Sequence, residues 1–372
     1  MEAVFWGACA LVFYVYAGYP LVLAVWARVA ARERERLSDH VLPVSIVLAA
    51  RNEAFRLPGR IENLLALDYP AELLEIIVVS DGSTDRTAQT LAPYTTTGPR
   101  PGVRTAPPIR LIETGPHGKA AALNTGIAAA RHDTIVFADA RQRFAPDAVR
   151  HLVANFADPT IGAVSGELVL DCEAGASASS ASDGVGAYWR YEKWLRARES
   201  AIDSMLGATG AIYAMRRACW RPLPPGTILD DVLAPMRAVL AGWRVVFEPR
   251  ARAFDVTVPN VAAESRRKRR TLAGNYQVFA LEPSLLIPGR NRVWLQYVSH
   301  KLGRLAVPWA LLMLLLSAMV LAVSSALYLV FAAIQIAFYA LAAYGAFLEH
   351  RNTRRAAARA SMQRPERKAV NA

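Results

Sequence analysis

The sequence predicts an α/β fold, a mixed and mostly parallel sheet covered by helices, with transmembrane helices at both ends. Three observations carry this expectation. Short apolar runs alternate with helical stretches from Val44 to Asp139. Each run ends in polar residues, as expected where parallel strands present their carboxyl ends to a ligand. Two long tracts almost free of charge bracket this polar middle.

The first tract, residues 3–27, is interrupted only by Gly7, Gly18 and Pro20. A bilayer core takes about 20 apolar residues per helix. No basic residue precedes the run, so it reads as an anchor rather than a signal peptide. Residues 305–347 contain no Lys, Arg, Asp or Glu, which leaves room for two spans with a turn at Ser324 and Ser325. Arg28, Arg32, Arg34 and Arg36 follow the first span, His300, Lys301 and Arg304 precede the second, and Arg351, Arg354, Arg355, Arg359, Arg364, Arg367 and Lys368 close the chain. With Glu2 alone ahead of the first span, this asymmetry predicts three spans, a cytoplasmic middle and Met1 on the far side. The expected layout is a transmembrane helix at 1–28, a basic cytoplasmic linker at 29–42, the α/β domain at 43–285, an interfacial segment at 286–304, two transmembrane helices at 305–347 and a basic cytoplasmic tail at 348–372.

Composition excludes some classes. The net charge of +12 would suit a nucleic acid, but much of the excess lies in the flanks and tail, where membrane lipid is the simpler partner. The expectation is therefore no nucleic acid. Cys9, Cys172 and Cys219 have no metal or redox spacing, which agrees with a reducing compartment.

Within the middle, strand-like runs are Val44–Ala50, Glu75–Ser80, Ile109–Glu113, Thr134–Asp139 and Ile161–Leu170. Helical stretches are expected near 56–67, 85–93 and 118–131, over Tyr188–Ile202, and after Asp230-Asp231. Ala174–Gly186, rich in Ala, Ser and Gly, reads as a loop.

Four motifs bear on chemistry. Asp81, ending a buried run ahead of Gly82-Ser83, suits a carboxylate accepting from a base N–H, and Ser83 or Asp85 also suits a helix cap. Gly118-Lys119 opens a helix and offers free N–H groups and an ammonium to a phosphate, or is a plain helix start. Asp139 ends a strand where a carboxylate can hold a cation. Asp230-Asp231, after the Pro222–Pro225 turn, offers a general base or an ordinary capped helix.

The order of these motifs is more specific than any one of them. Asn-Glu after the first strand, Asp-Gly-Ser after the second, Lys-x-x-x-Leu-Asn, a strand-ending Asp, Asp-Asp and an Arg-rich run together resemble family 2 glycosyltransferases of the GT-A fold over roughly residues 43–280. The resemblance is to membrane synthases of the cellulose, chitin, hyaluronan and poly-N-acetylglucosamine type. It implies that Ala50, Arg51 and Glu53 line the nucleoside pocket, with Asp81 accepting from uracil. Lys119 and Asn124 would lie near the nucleotide phosphates, with Arg269 and Arg270 approaching the diphosphate. Asp139 would bind Mg²⁺ or Mn²⁺. Asp231 would be the base, with Asp230 beside it, and Gly207, Ala208, Thr209 and Gly210 would line the acceptor site.

The implied activity is inverting transfer from a UDP-sugar to a saccharide or lipid acceptor, for cell-surface polysaccharide, in a bacterial inner membrane. Two alternatives are transfer of single sugars to lipid and a non-catalytic subunit of a synthase complex. The chain departs from the family where Arg141 replaces a second metal Asp, and where Arg267-Lys268-Arg269-Arg270-Thr271 lacks the Gln and Trp of processive members.

Overall fold

In the computed structural model, residues 1–32, 34, 37, 40–95, 106–171, 180–256 and 261–362 are described. They fall into two compact units, one of residues 19–260 and 264–301, the other of residues 1–18, 261–263 and 302–372.

The first unit is built on an eight-stranded sheet: β1 (Val44–Ala50), β2 (Leu74–Asp81), β3 (Ile109–Thr114), β4 (Thr134–Ala138), β5 (Arg143–Phe144), β6 (Ile161–Asp171), β7 (Ile212–Arg216) and β8 (Arg244–Val256). Their spatial order is β3-β2-β1-β4-β7-β6-β8-β5. β1 pairs in parallel with β2 and β4, and β2 with β3, while β7 runs antiparallel between β4 and β6. β1, β2 and β4 are buried along nearly their whole length, because helices cover both faces. Such strands read as unbroken apolar runs, which is why their positions were predictable.

Two cores result, one on each face. Val44, Ile46, Leu48, Ile76 and Val78 point to the helix Leu57–Leu65, whereas Val47, Ile77 and Val79 meet the helix Lys119–Ala129. The alternation is the period-2 consequence of strand geometry. Gly126 lies so close to the sheet that a Cβ there would fall 2.5 Å from Val47 Cγ1, so the helix packs directly on β1.

The expected loop at Ala174–Gly186 is corrected in part. Residues 180–186 form the first turns of a helix, Ser180–Ile202, since Ala and Ser are adequate helix residues once a long amphipathic segment follows. Residues 174–179 lie outside the described positions. On this helix Glu199 is fully buried, with Oε1 accepting from the Tyr19 hydroxyl at 2.7 Å and lying 2.7 Å from His300 Nδ1.

The second unit is helical. Glu2–Phe13 packs with Gly303–Leu321, and Phe5, Ala318, Tyr328 and Ala332 form a small core. Ser324 and Ser325 lie in the turn between Gly303–Leu321 and Ala326–Met362. Among the described residues, three helical stretches are long and apolar enough to cross a membrane: Glu2–Val29, Trp294–Leu321 and Ala326–Leu348. The second begins at Trp294, ahead of the expected Leu305, because the π-helical turn Tyr297–Leu302 continues into Gly303–Leu321. Along Ala326–Leu348 the side chains of Leu329, Val330, Ile334, Phe338 and Leu341 are exposed. Apolar exposure on that scale calls for lipid rather than water.

Candidate active site

Parallel pairing brings the carboxyl ends of β1, β2 and β4 to one edge of the sheet, and the polar residues singled out in the sequence gather there. Ala50 is buried at the end of β1 and Arg51 is exposed. Asn52 adopts a left-handed backbone, φ 56°, which Asn tolerates better than most residues. Its N–H donates to Ser83 Oγ (3.1 Å) and its Oδ1 accepts the Thr84 N–H (2.8 Å). Glu53 N–H donates to Thr87 Oγ1 and Ala54 N–H to Asp85 Oδ2, both at 3.1 Å. The Glu53 carboxylate receives Arg56 at 2.8 Å. Thr87, followed by backbone amides, holds the Asp85 carboxyl below its ordinary value. The loops after β1 and β2 are thus laced together.

Asp81 is buried, and its Oδ1 accepts the N–H of His117 (2.8 Å) and of Gly118 (2.9 Å), the latter also reaching Oδ2 at 3.0 Å. A carboxylate has about four lone-pair sites, so this leaves Oδ2 with capacity for a further donor. Asp81 therefore sets the loop that delivers Lys119. Gly82 (φ +61°) makes the turn possible, since a Cβ would strike Pro116 at 2.7 Å.

Lys119 Nζ stands 3.1 Å from Asp139 Oδ1 and 3.3 Å from Asp230 Oδ2. Burial opposes its charge, but Asp230 and Asp139 outweigh that and raise its pKa above the ordinary lysine value. Asp230 is the first residue of the helix Asp230–Leu240, where the helix dipole favours a carboxylate. Its Oδ2 is buried with no hydrogen bond among the described residues, only the ion pair to Lys119.

Asp231 is held by the stretch expected to line an acceptor. Gly210 N–H donates to Asp231 Oδ2 at 3.1 Å, and Ala208 N–H donates to the Asp231 carbonyl at 2.6 Å. A Cβ on Gly210 would fall 2.7 Å from Oδ2, and Gly207 takes φ +116° beside the same backbone. Thr209 is fixed by Ser165, whose Oγ accepts its N–H at 2.9 Å, and by Arg196, which donates to Oγ1 at 3.1 Å. Desolvation, with Asp230 adding to it, pushes the Asp231 carboxyl up to about 6. A carboxylate near neutral pKa is suited to take a proton. Beneath the acids, the Tyr213 ring stacks on Phe137 at 4.1 Å. Burial, and then the charges of Asp230 and Asp231, raise its phenol well above the usual value.

Other predicted residues stand differently. Asn124 does not offer its side chain to a phosphate: Nδ2 donates to Leu223 O and Oδ1 accepts Leu223 N–H, both at 2.9 Å, so the amide clamps the turn ahead of Asp230. Arg269 and Arg270 are exposed on the helix Val261–Leu281, and among the described ion pairs neither meets Asp139, Asp230 or Asp231. Arg141 turns to Asp255 on β8 at 2.6 Å. Sequence reasoning missed Gln277, which accepts Ile228 N–H at 2.8 Å and donates to Gly226 O at 3.0 Å. Its only sequence signal is helical spacing from Gly274, where a Cβ would fall 2.5 Å from Leu229 Cγ.

No group of three or more His, Cys, Asp or Glu side chains is placed to hold a metal among the described residues. What is present is the half-exposed Asp139 carboxylate, with the unbonded Asp230 Oδ2 across Lys119. Mg²⁺ is commonly held by one or two carboxylates together with waters and substrate phosphates. The residues fit an ion carried in with a diphosphate rather than one caged by protein.

A model described as glycosyl transferase family 2 matches residues 45–217, and one described as glycosyl transferase family group 2 matches residues 134–344, more than half of the chain. The chain belongs to glycosyl transferase family group 2. A mannosyltransferase, PcManGT from Pyrobaculum calidifontis, solved with GDP-Man and Mn²⁺, superposes with TM-score 0.70 at 24% identity, covering 93% of this chain and 92% of that one. That likeness shows that this glycosyltransferase shares its fold. A beta-monoglucosyldiacylglycerol synthase from Synechocystis sp. is 28% identical over 63% of this chain and 48% of its own length. A poly-beta-1,6-N-acetyl-D-glucosamine synthase from Staphylococcus aureus is 23% identical over 64% of this chain and 56% of its own. The chain thus matches about half the length of these curated relatives.

Proposed function

We propose that this glycosyltransferase is an inverting enzyme that moves a sugar from a UDP-sugar to a saccharide or lipid-linked acceptor at a membrane. The observation that carries the proposal is Asp231: pinned by Gly210, pushed up to about 6, and next to an acid whose partner Lys119 also meets Asp139. Asp231 takes the proton of the acceptor hydroxyl as that oxygen bonds to the anomeric carbon. The bond from that carbon to the diphosphate breaks, and its electron pair leaves on the phosphate oxygen. One in-line displacement inverts the anomeric centre.

Lys119 bears positive charge where negative charge develops on the leaving group, the largest electrostatic demand of the reaction. Ala50, Arg51, Glu53 and Asp81 line the nucleoside side. A divalent cation bound at Asp139 would supply further neutralisation of the diphosphate. Domain bounds of 43–285 for the catalytic part, a cytoplasmic orientation and a bacterial inner membrane complete the reading. The three apolar helices and the basic flanks support it.

A second reading, transfer of single sugars to a lipid acceptor, is favoured by two observations. Arg141 is engaged by Asp255, and Thr271 is exposed where processive members carry the Trp.

Detergent-purified protein with Mg²⁺ or Mn²⁺ should turn over a UDP-sugar. Asp231→Asn should cut turnover by about 10²-fold or more while nucleotide binding persists. Unchanged turnover in that variant would remove Asp231 as the base, and absence of turnover in the parent protein across UDP-sugars would favour a non-catalytic subunit. Sizing the labelled product separates polymer from single transfer.

A further inference from the structure

A second polar site lies on the opposite edge of the sheet, at the amino ends of β6 and β8. Arg32, Asp158, Thr160, Gly242, Arg244 and Arg292 line a cavity of about 410 Å³. That size is within the range of about 300–1,000 Å³ typical of small-molecule sites. The arginines are not ordinary surface cations. Arg244 is only 5% exposed. It uses Nε on the Asp203 carbonyl and one terminal nitrogen on the Ser200 carbonyl, and leaves the other with a 3.7 Å ion pair to Asp158. Burial lowers its pKa, a sign that the nearby carboxylates do not fully compensate the buried charge.

Asp158 is itself occupied, since its Oδ1 accepts both the N–H (2.8 Å) and the hydroxyl (2.6 Å) of Thr160. Arg292 is fixed by Asp203 at 2.9 Å and by the carbonyls of Gly242 and Trp243. Arg32 meets Asp203 at 3.1 Å, and its side chain remains 60% exposed. Among the described residues, three guanidinium groups meet two carboxylates, Asp158 and Asp203, a net charge of +1.

The chain fixes the level of this cavity. Arg32 follows Val29, the end of the first apolar helix, by three residues, and Arg292 precedes Trp294, the start of the second, by two. Two independent segments thus bring arginines to the boundary of the apolar spans, where lipid phosphates are concentrated. Planar guanidinium forks match phosphate oxygens, and basic pockets beside membrane helices suit anionic headgroups. We propose that this cavity is a phosphate-ester site at the membrane boundary, filled by the headgroup of an anionic phospholipid. It lies apart from Asp231 and does not depend on the sugar-transfer reading.

The test follows the thermal unfolding midpoint of the full chain in neutral detergent, titrated with dioctanoyl phosphatidylglycerol, dioctanoyl phosphatidylcholine or inorganic phosphate. The glycerol lipid should raise the midpoint saturably, because a ligand that binds only the folded state stabilises it. The choline lipid should not, and inorganic phosphate should act only at much higher concentration. Arg32→Glu should weaken the phosphatidylglycerol response, read as the shift from its own lipid-free midpoint, about tenfold while leaving the transfer rate unchanged. Arg244→Lys, which keeps charge but loses the fork, should weaken it too; if that variant does not fold, Arg32→Glu decides alone. Equal responses to the two lipids, or a response unchanged by Arg32→Glu, would overturn the site. Inorganic phosphate as potent as the lipid would overturn the headgroup assignment.

Discussion

The loops after β1 and β2 and the turn at Asp230-Asp231 contribute to one candidate site but are held in different ways. Around Asn52, Asp81 and Asp85, backbone N–H groups meet side-chain oxygens in nearly every direction, and the carboxylates have their donors. Around Asp230-Asp231 the contacts come from afar: Asn124 on Leu223, Gln277 on the backbone of 226 and 228, Gly210 on Asp231. There a buried oxygen of Asp230 lacks a hydrogen bond among the described residues, and burial pushes the Asp231 carboxyl up to about 6. The first region spends its polar groups on shape. The second keeps charge in reserve, as the proposed proton transfer requires.

Three substitutions would break or sharpen this contrast. Beyond removal of the Asp231 carboxylate itself, the largest effect on turnover belongs to Gly210→Ala, whose Cβ would fall 2.7 Å from Asp231 Oδ2. Displacing the proposed base by even a fraction of an ångström should lower kcat by about 10²-fold, with the donor KM little changed; a kcat within twofold of the parent would mean that Gly210 does not set the Asp231 carboxylate for catalysis.

The second effect is on pH. As the proposed base, Asp231 must be ionised to act, so kcat/KM should fall as pH drops through about 6. In the unfolded chain an Asp loses its proton near pH 4. The stabilisation associated with the protonated folded site is therefore complete below about 4 and lost as pH rises through about 6. Asp231→Asn should accordingly raise stability at pH 8 by about 1–3 kcal/mol while abolishing turnover. Denaturant melts at pH 4 and pH 8 check this, since the gain should appear only at the higher pH.

The smallest effect is on the other side of the comparison. Asn52→Ala removes the acceptor for Thr84 and places Ala in a left-handed backbone. It should cost about 1–2 kcal/mol of stability and raise the donor KM more than it lowers kcat. A kcat loss as large as that of Gly210→Ala would erase the distinction.

The sequence was most readable where structure is local. β1 to β4 were found because buried parallel strands are uninterrupted apolar runs, and the strand-ending acids Asp81 and Asp139 stood out against them. β8 was missed because Glu248, Arg250, Arg252 and Asp255 interrupt its apolar pattern, the first two paired with each other. β7 is a short strand inserted antiparallel, and no repeat of strand and helix announces it. The acids of the site were legible, but their supports were not. Asn124 and Leu223 are 99 positions apart, and Ile228 and Gln277 are 49 apart. The family resemblance implies a place near the nucleotide phosphates for Asn124. The fold instead gave its amide a backbone to clamp, because both its donor and its acceptor found complementary groups on one residue.

The buried Glu199 has a practical consequence for anyone wishing to handle this enzyme without lipid. Its Oε1 is shared between the Tyr19 hydroxyl, within the first apolar helix, and His300, within the second, while its Oε2 has no hydrogen bond among the described residues. Trimming the amino-terminal helix to gain solubility would delete a donor from a carboxylate that water does not reach. The helical segment from Tyr19 onward is therefore also an interior part of the sheet-containing unit, and solubility is better sought by redesigning exposed apolar side chains than by cutting that segment.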